Sequence, residues 1–585
     1  MVMCCIRRAL LFLHASLCLF AGSGACGPSP VSGLDDRAPQ VRLDPPGGTR
    51  DQLTVRDLLD GHIPGVVHNG YFKAIGETEP PADRLSGMLH FSETTMATPL
   101  PDSTWEGRGQ TVFPEFSVSF ISHEQHLIPL ERGILLSGVG GASFWNIIVG
   151  PGRVWQERAD GGYSRAAFPF TLTSNGVGQA RNGVATFVYN SSTVSNVAIQ
   201  VTQETAPFDT YLRADFHAVI PATYEPAELE GEADYIARFE RELAARLSVR
   251  PWTELHNSEL ARRQYHEGAL ESDVSAAALL IDGVLYVQEL ETRSGGPYPF
   301  PDEMRHGVFS VTKTLGMGLA MFYVAHRYGD DVFEALITDY VPILANHPGW
   351  QGVTFAHTLG MATGNVGGET GAAIQPFIVA RTAEAKLGAI RRFPDAPPAP
   401  GEVFNYASTH FFVLSYALNE YVKARQGPDA DYWLMLKEDV LRPLGIDNLP
   451  LSRTIEEEEK LGTPIMGWGS YPTVNEVARI AQLLQDEGRF GGEQLLSAIK
   501  VREALSQAWH PGYDTGGNQS YYHSVWRRPA HLFRCVVHVP TMSGHGGNLV
   551  MMLPNGLTAI RFGDDNRYDI TPMVRAIERY RSSCR

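Results

Sequence analysis

Cysteine is scarce in this chain. There are six in 585 residues, and Cys4, Cys5 and Cys18 fall in a stretch that reads as a removable leader. Only Cys26, Cys535 and Cys584 remain, too few for a disulfide scaffold. The cysteines lie far apart and the histidines show no HxxxH or HxH spacing, so no metal site is expected. Positive charge is also in deficit: 48 Lys and Arg face 65 Asp and Glu, a formal net charge of −17. A surface that acidic argues against nucleic acid or an anionic membrane as a partner of the folded part. Beyond the N-terminus no apolar run is long enough to cross a bilayer. No internal repeat stands out.

What is present first is an export signal over residues 1–25. Arg7 and Arg8 precede a short apolar stretch, Ala9 to Ala21, and then small residues. Cys26 stands where a bacterial lipoprotein is processed, with Ser23 at the position three before it. Lipidation at Cys26 would tether the protein to a membrane face; simple secretion is the alternative. The expected location is periplasmic or outer-membrane, as a lipoprotein, or outside the cell. In an oxidising compartment Cys535 and Cys584 could join and pin the last helix to a strand, or stay a buried thiol and a loose tail.

Residues 26–60, rich in Pro, Gly and Asp, read as a leader or linker. From 61 to 222 short alternating runs broken by Gly, Pro and Asn, such as Thr111 to Ile121 and Gly183 to Tyr189, predict an all-β accessory domain. Residues 223–270 carry helical spacing (Tyr235, Ile236, Phe239, Leu243, Leu247) and read as a helical connector. The region 271–585 opens on two strands around Asp282-Gly283, a hairpin signal. Helices follow, then strands at Leu532 to Val539, Asn548 to Leu553 and Leu557 to Phe562, and a last helix, Pro572 to Tyr580. Its two ends can therefore share one antiparallel sheet. The expected fold class is α/β (α+β): an antiparallel sheet flanked by helices, with a helical lobe, preceded by the all-β domain.

Three short segments carry chemistry. Ser310-Val311-Thr312-Lys313 opens the apolar run Thr314 to Val324. Three residues apart on a helix, serine and lysine share a face. A serine hydroxyl needs a base to become a nucleophile, and burial lowers a lysine's pKa toward that role. Tyr406-Ala407-Ser408 offers a tyrosine to relay a proton and a serine to contact Lys313 or substrate. His545-Gly546-Gly547 precedes the strand at Asn548, where glycines permit close approach and His545 can donate to substrate.

Taken together, these segments resemble the serine β-lactamase and penicillin-recognising superfamily, in its class C-like branch. That branch includes family VIII esterases, D-amino-acid peptidases and D-Ala-D-Ala carboxypeptidases. The surrounding text is similar too: Phe355-Ala356-His357-Thr358-Leu359-Gly360-Met361, Pro400-Gly401-Glu402-Val403-Phe404-Asn405-Tyr406, Pro443-Leu444-Gly445-Ile446 and Gly467-Trp468-Gly469. The resemblance covers about 270–570 and not the first 200 residues. It implies a β-lactamase-like fold, Ser310 as nucleophile, Lys313 as its base, Tyr406 as base or relay, and no cofactor. It also implies an oxyanion hole made by the Ser310 N–H and one from the last strands near Asn548. Two departures bear on substrate. Ser408 stands where lactamases carry asparagine, and His545 where they carry lysine, which suits a less anionic acyl group. The expected function is an exported serine hydrolase acting through an acyl-enzyme on a small ester, amide or peptide. The alternatives are a cell-wall peptidase or carboxypeptidase, with the β domain touching the wall, and a non-catalytic binding protein.

Overall fold

The structure is a computed structural model that describes residues 43–63, 65–98, 109–137, 140–174, 178–205, 215–269, 273–292, 294–365, 369, 371–391 and 399–584. The expected signal over 1–25 and Cys26 lie outside the described residues.

The N-terminal region is an eleven-stranded antiparallel sheet. Its main path runs Phe216–Ile220, Val197–Thr205, Ala180–Tyr189, Ser164–Ser174, Gly152–Glu157, His126–Pro129, Phe116–His123, Ser86–Phe91 and Ala222–Pro226. One face buries an aromatic core of Phe91, Phe120, Phe168, Phe187 and Trp145, with the Phe91 and Phe116 rings stacked at 4.4 Å. Period-two alternation would leave the other face to solvent. In Ser164–Ser174 and Ala180–Tyr189 every residue is buried instead. Val184 and Val188, on the second face, join the large core of the C-terminal region and pack with Leu58, Tyr71 and Phe72.

Leu58 corrects the linker reading of 26–60 for its described part, 43–60. The chain from 43 onward is fastened down. Buried Arg50 donates to both Glu157 carboxylate oxygens at 2.8 Å and to the Tyr71 carbonyl at 2.6 Å. Helix Val55–Asp60 starts on a capping box between Thr54 and Asp57.

The connector contains helix Glu232–Ala245, with Phe239 and Glu242 buried. It is not helical throughout. Ser248–Pro251 pairs in parallel with Val284–Val287 and forms the edge of the second sheet. That sheet has nine strands, in the order Ser248–Pro251, Val284–Val287, Val274–Ile281, Thr558–Gly563, Asn548–Met552, Val536–Gly544, Val525–His531, Gln519–Tyr522, Tyr513–Gly516. Asp282 and Gly283 both take positive φ (49° and 79°), as a two-residue hairpin requires. Val274–Ile281 pairs with Thr558–Gly563, so the two ends of the region meet in one sheet, as its pattern predicts. Leu319–Tyr328, Ser408–Gln426 and Val474–Gln485 belong to the larger core. Thr571–Ile577 and Ser258–Tyr265 cover the opposite face. Cys535 and Cys584 are joined, tying the C-terminal segment to the sheet.

Candidate active site

The nucleophile segment enters the core through a strained turn. Phe309, just before Ser310, has φ 47°. A bulky residue in the left-handed region costs roughly 1–3 kcal/mol and needs its surroundings to hold it there. Phe309–Val311 forms one 3₁₀ turn, Lys313–Gly318 a wide π turn, and only then does helix Leu319–Tyr328 begin. The expected regular helix start is thus a tightened turn followed by a widened one, a form often found at functional sites. Lys313 is 2% exposed.

Three oxygens surround the Lys313 ammonium. Nζ lies 2.7 Å from Ser310 Oγ, 2.7 Å from Ser408 Oγ and 2.7 Å from the Gly467 carbonyl. The Tyr406 and Phe411 rings close the remaining sides, at 4.9 and 5.6 Å from Nζ. Burial pushes the lysine down from 10.5 to about 7, against the opposing pull of Glu369. Near neutral pH it can therefore lose a proton and accept one from Ser310.

Tyr406 OH donates to Ser310 Oγ at 2.7 Å. Asn405 fixes its backbone, donating from N to Met361 O and from Nδ2 to Asn365 O, both at 2.7 Å. Trp526 stacks on the ring at 6.2 Å. Burial raises the tyrosine well above its ordinary range, helped by the Glu369 charge. In the resting site it is a phenol, suited to relaying a proton rather than to acting as a standing base.

Ser408 opens helix Ser408–Gln426, and its N–H donates to the Glu369 carboxylate. Burial raises Glu369, and the neighbouring Lys313 opposes that. Glu369 and the Gly467 carbonyl are parts of the site that residue patterns did not single out. An acid in a glycine-rich stretch has no signature, and a carbonyl has none at all. Arg528, behind Trp526, also lies in none of the motifs. Its guanidinium lies over Trp526 and Tyr568 at 5.2 and 5.5 Å, donates to Ser543 Oγ at 3.0 Å, and burial lowers it to about 10.

The last strands approach Ser310 earlier than expected. A Cβ at Gly544 would stand 2.1 Å from the Val308 carbonyl and 3.2 Å from the Ser310 nitrogen, so glycine is required there and keeps that N–H uncovered. Of the last strands it is Gly544, rather than Asn548, that lies against the Ser310 nitrogen. Asn548 is fully buried, and its side chain bridges the His545 carbonyl (2.6 Å) and the Gly563 N–H (3.2 Å). Gly546 and Gly547, at φ 87° and 83°, form the hairpin turn. The Gly546 N–H donates to Asn566 Oδ1, and Gly547 packs on Asp565 and Arg567. These three residues shape the turn where substrate contacts were expected. His545 does reach the site: its ring meets the Phe309 ring edge-to-face at 5.3 Å.

No family model matches this chain, and no curated protein does. Solved structures similar to it include a family VIII carboxylesterase, at 17% identity, covering 59% of this chain and 97% of that one, TM-score 0.39. A penicillin-binding protein homolog from Caulobacter crescentus is 17% identical, covers 59% and 98%, and has a TM-score of 0.40. The D-amino acid amidase from Ochrobactrum anthropi SV3, complexed with D-phenylalanine, is 15% identical, covers 55% and 99%, and has a TM-score of 0.40.

Proposed function

We propose that the protein is a serine hydrolase that works through an acyl-enzyme on a small ester or amide. The observation that carries this is the double contact on Ser310 Oγ, with Lys313 Nζ and Tyr406 OH each 2.7 Å away. Neutral Lys313 takes the hydroxyl proton as Oγ bonds to the substrate carbonyl carbon. The charge that develops on the carbonyl oxygen is met by the Ser310 N–H beside Gly544. Collapse breaks the bond to the alcohol or amine, which leaves with the Tyr406 proton while Lys313 returns its own to Tyr406. Water then attacks the acyl-serine by the same route in reverse.

Export belongs to the proposal. The Cys535–Cys584 bond supports it, since such bonds persist in oxidising compartments. The basic and apolar N-terminus and Cys26 would supply the signal and a lipid anchor. The test is a fluorophosphonate probe, with the adduct located by peptide mass spectrometry. An adduct on Ser310, absent in Ser310→Ala, is expected. Folded protein that takes no label at Ser310 refutes the reading.

A further inference from the structure

We infer that the N-terminal β domain is part of the catalytic apparatus, with Asn182 as a positioning residue for the Ser310 turn. The inference rests on the hydrolase reading above and adds to it a part of the chain that the resemblance does not reach.

The grip begins at a bulge. The register between Ala180–Tyr189 and Val197–Thr205 shifts at Asn182/Gly183. The extra residue is Thr202 on Val197–Thr205, between Gln203 and Val201, the partners of Asn182 and Gly183. Beside it, Asn182 reaches out of its own sheet. Asn182 Nδ2 donates to the Arg305 carbonyl at 2.8 Å, and its Oδ1 accepts from the Arg305 N–H at 3.3 Å. An amide that donates to and accepts from one residue's backbone acts as a missing strand partner for it. Asn182 is itself fixed, fully buried, by Thr171 Oγ1 donating to Oδ1 at 2.8 Å and by Nδ2 donating to Gln203 Oε1 at 2.7 Å. Next door, Tyr298 OH donates to the Gly183 carbonyl at 2.9 Å.

Two residues further on, the contact is backbone to backbone. A Cβ at Gly307 would stand 2.2 Å from the Gly178 carbonyl. On the other side Gly544 meets Val308 O and Ser310 N in the same way. The turn is therefore held at 305 and 307 by the β domain and at 308 by the last strands, and the strained Phe309 follows at once. The Phe309 ring lies 3.5 Å from the position a Cβ would take on Gly178, and Trp468 3.7 Å from it. Trp468 adjoins Gly467, whose carbonyl accepts from Lys313. The β domain thus holds the turn that aims Ser310 and backs the aromatic wall beside it.

The test is inactivation of the full chain by a fluorophosphonate, resolved into a maximal rate and an affinity, with hydrogen exchange read over 305–311. In Asn182→Ala the maximal rate is expected to fall at least tenfold while affinity changes less than threefold. Exchange should quicken over 305–311 and stay unchanged over 548–552. Thr186→Val is the control. It removes a different buried polar group from the same strand, a hydroxyl that donates to Ala166 O at 2.9 Å away from the turn. It should lower stability without lowering the rate. If Asn182→Ala does not fold, Thr171→Val loosens the same amide and should give a smaller fall in the same direction. A wild-type rate and wild-type exchange in folded Asn182→Ala, or in folded Thr171→Val when that variant takes its place, would overturn the inference and leave the hydrolase intact. An equal fall in Thr186→Val would overturn it as well. If wild type itself takes no label, the hydrolase reading fails. Exchange over 305–311 then decides the grip: faster in the variant upholds it, unchanged overturns it.

Discussion

The rate of acylation should follow the ionisation of Lys313. An ordinary lysine titrates at 10.5, and burial brings this one to about 7. At pH 7 about half of the buried amines are neutral, against roughly 1 in 3,000 for an unshifted lysine. The difference corresponds to roughly 5 kcal/mol, which desolvation supplies. The neutral amine is the form that accepts a proton, so the rate rises with pH. Labelling by fluorophosphonate, a probe that does not itself titrate, should run at pH 6 at about one-fifth of its pH 7 rate and level off above about pH 8. Lys313→Arg keeps a protonated group in the same place and should label at least about a thousandfold more slowly at every pH. Stopped labelling reactions between pH 5 and 9, read by gel fluorescence, give the profile. A rate that climbs tenfold per unit through pH 9 without a plateau would move the base to Tyr406, which burial holds above its ordinary range. A flat profile would remove both groups from the role.

The other predictions are read separately. In Glu369→Gln the charge that favours protonated Lys313 is gone, so the midpoint of the same profile should move to lower pH; an unmoved midpoint would mean the carboxylate does not act on the lysine. Glu242 joins the connector helix to Arg132 of the β domain (2.9 Å), and Glu242→Gln should cost about 3 kcal/mol in urea unfolding, because it takes the hydrogen-bonded carboxylate from a buried guanidinium. Burial pushes Glu242 up, but Arg132, with Arg246 and Arg305, outweighs it and holds it at about 2 against an ordinary 4.5. This stabilisation is complete above about pH 4.5 and lost as pH falls toward 2, so wild type should lose more stability than Glu242→Gln across that window. Cys535 and Cys584 are 49 residues apart, and Cys584→Ser should cost about 4 kcal/mol on the chain-entropy account; an unchanged melting temperature would refute it.

The meeting of Ser310, Lys313 and Tyr406 was legible because their short segments, none decisive alone, together resemble the motif set of one known family. The shared sheet was legible because its strands alternate cleanly and Asp282-Gly283 announces a hairpin. What stayed hidden depends on distant contacts. Positive φ at Phe309 follows from close approaches by Gly178 and Gly544, hundreds of residues apart in the chain. Arg50 reads as a charge in a loose leader until Glu157 comes to meet it. Ser248–Pro251, short and exposed along its length, has no strand pattern of its own; its partner Val284–Val287 makes it one. Asn548 misled because the glycines before it look like a substrate contact, while its side chain ties the His545 turn to Gly563.

Two strands with no face left for water make the β domain hard to treat as a cassette. A module can be exchanged when its boundary is a surface that evolved against solvent. Here Ser164–Ser174 and Ala180–Tyr189 are buried from end to end, and polar side chains such as Asn182 find partners across the boundary. Either half expressed alone would bare apolar surface and unpaired amides together. Chimaeras made by shuffling related genes should therefore survive only when both halves come from one parent.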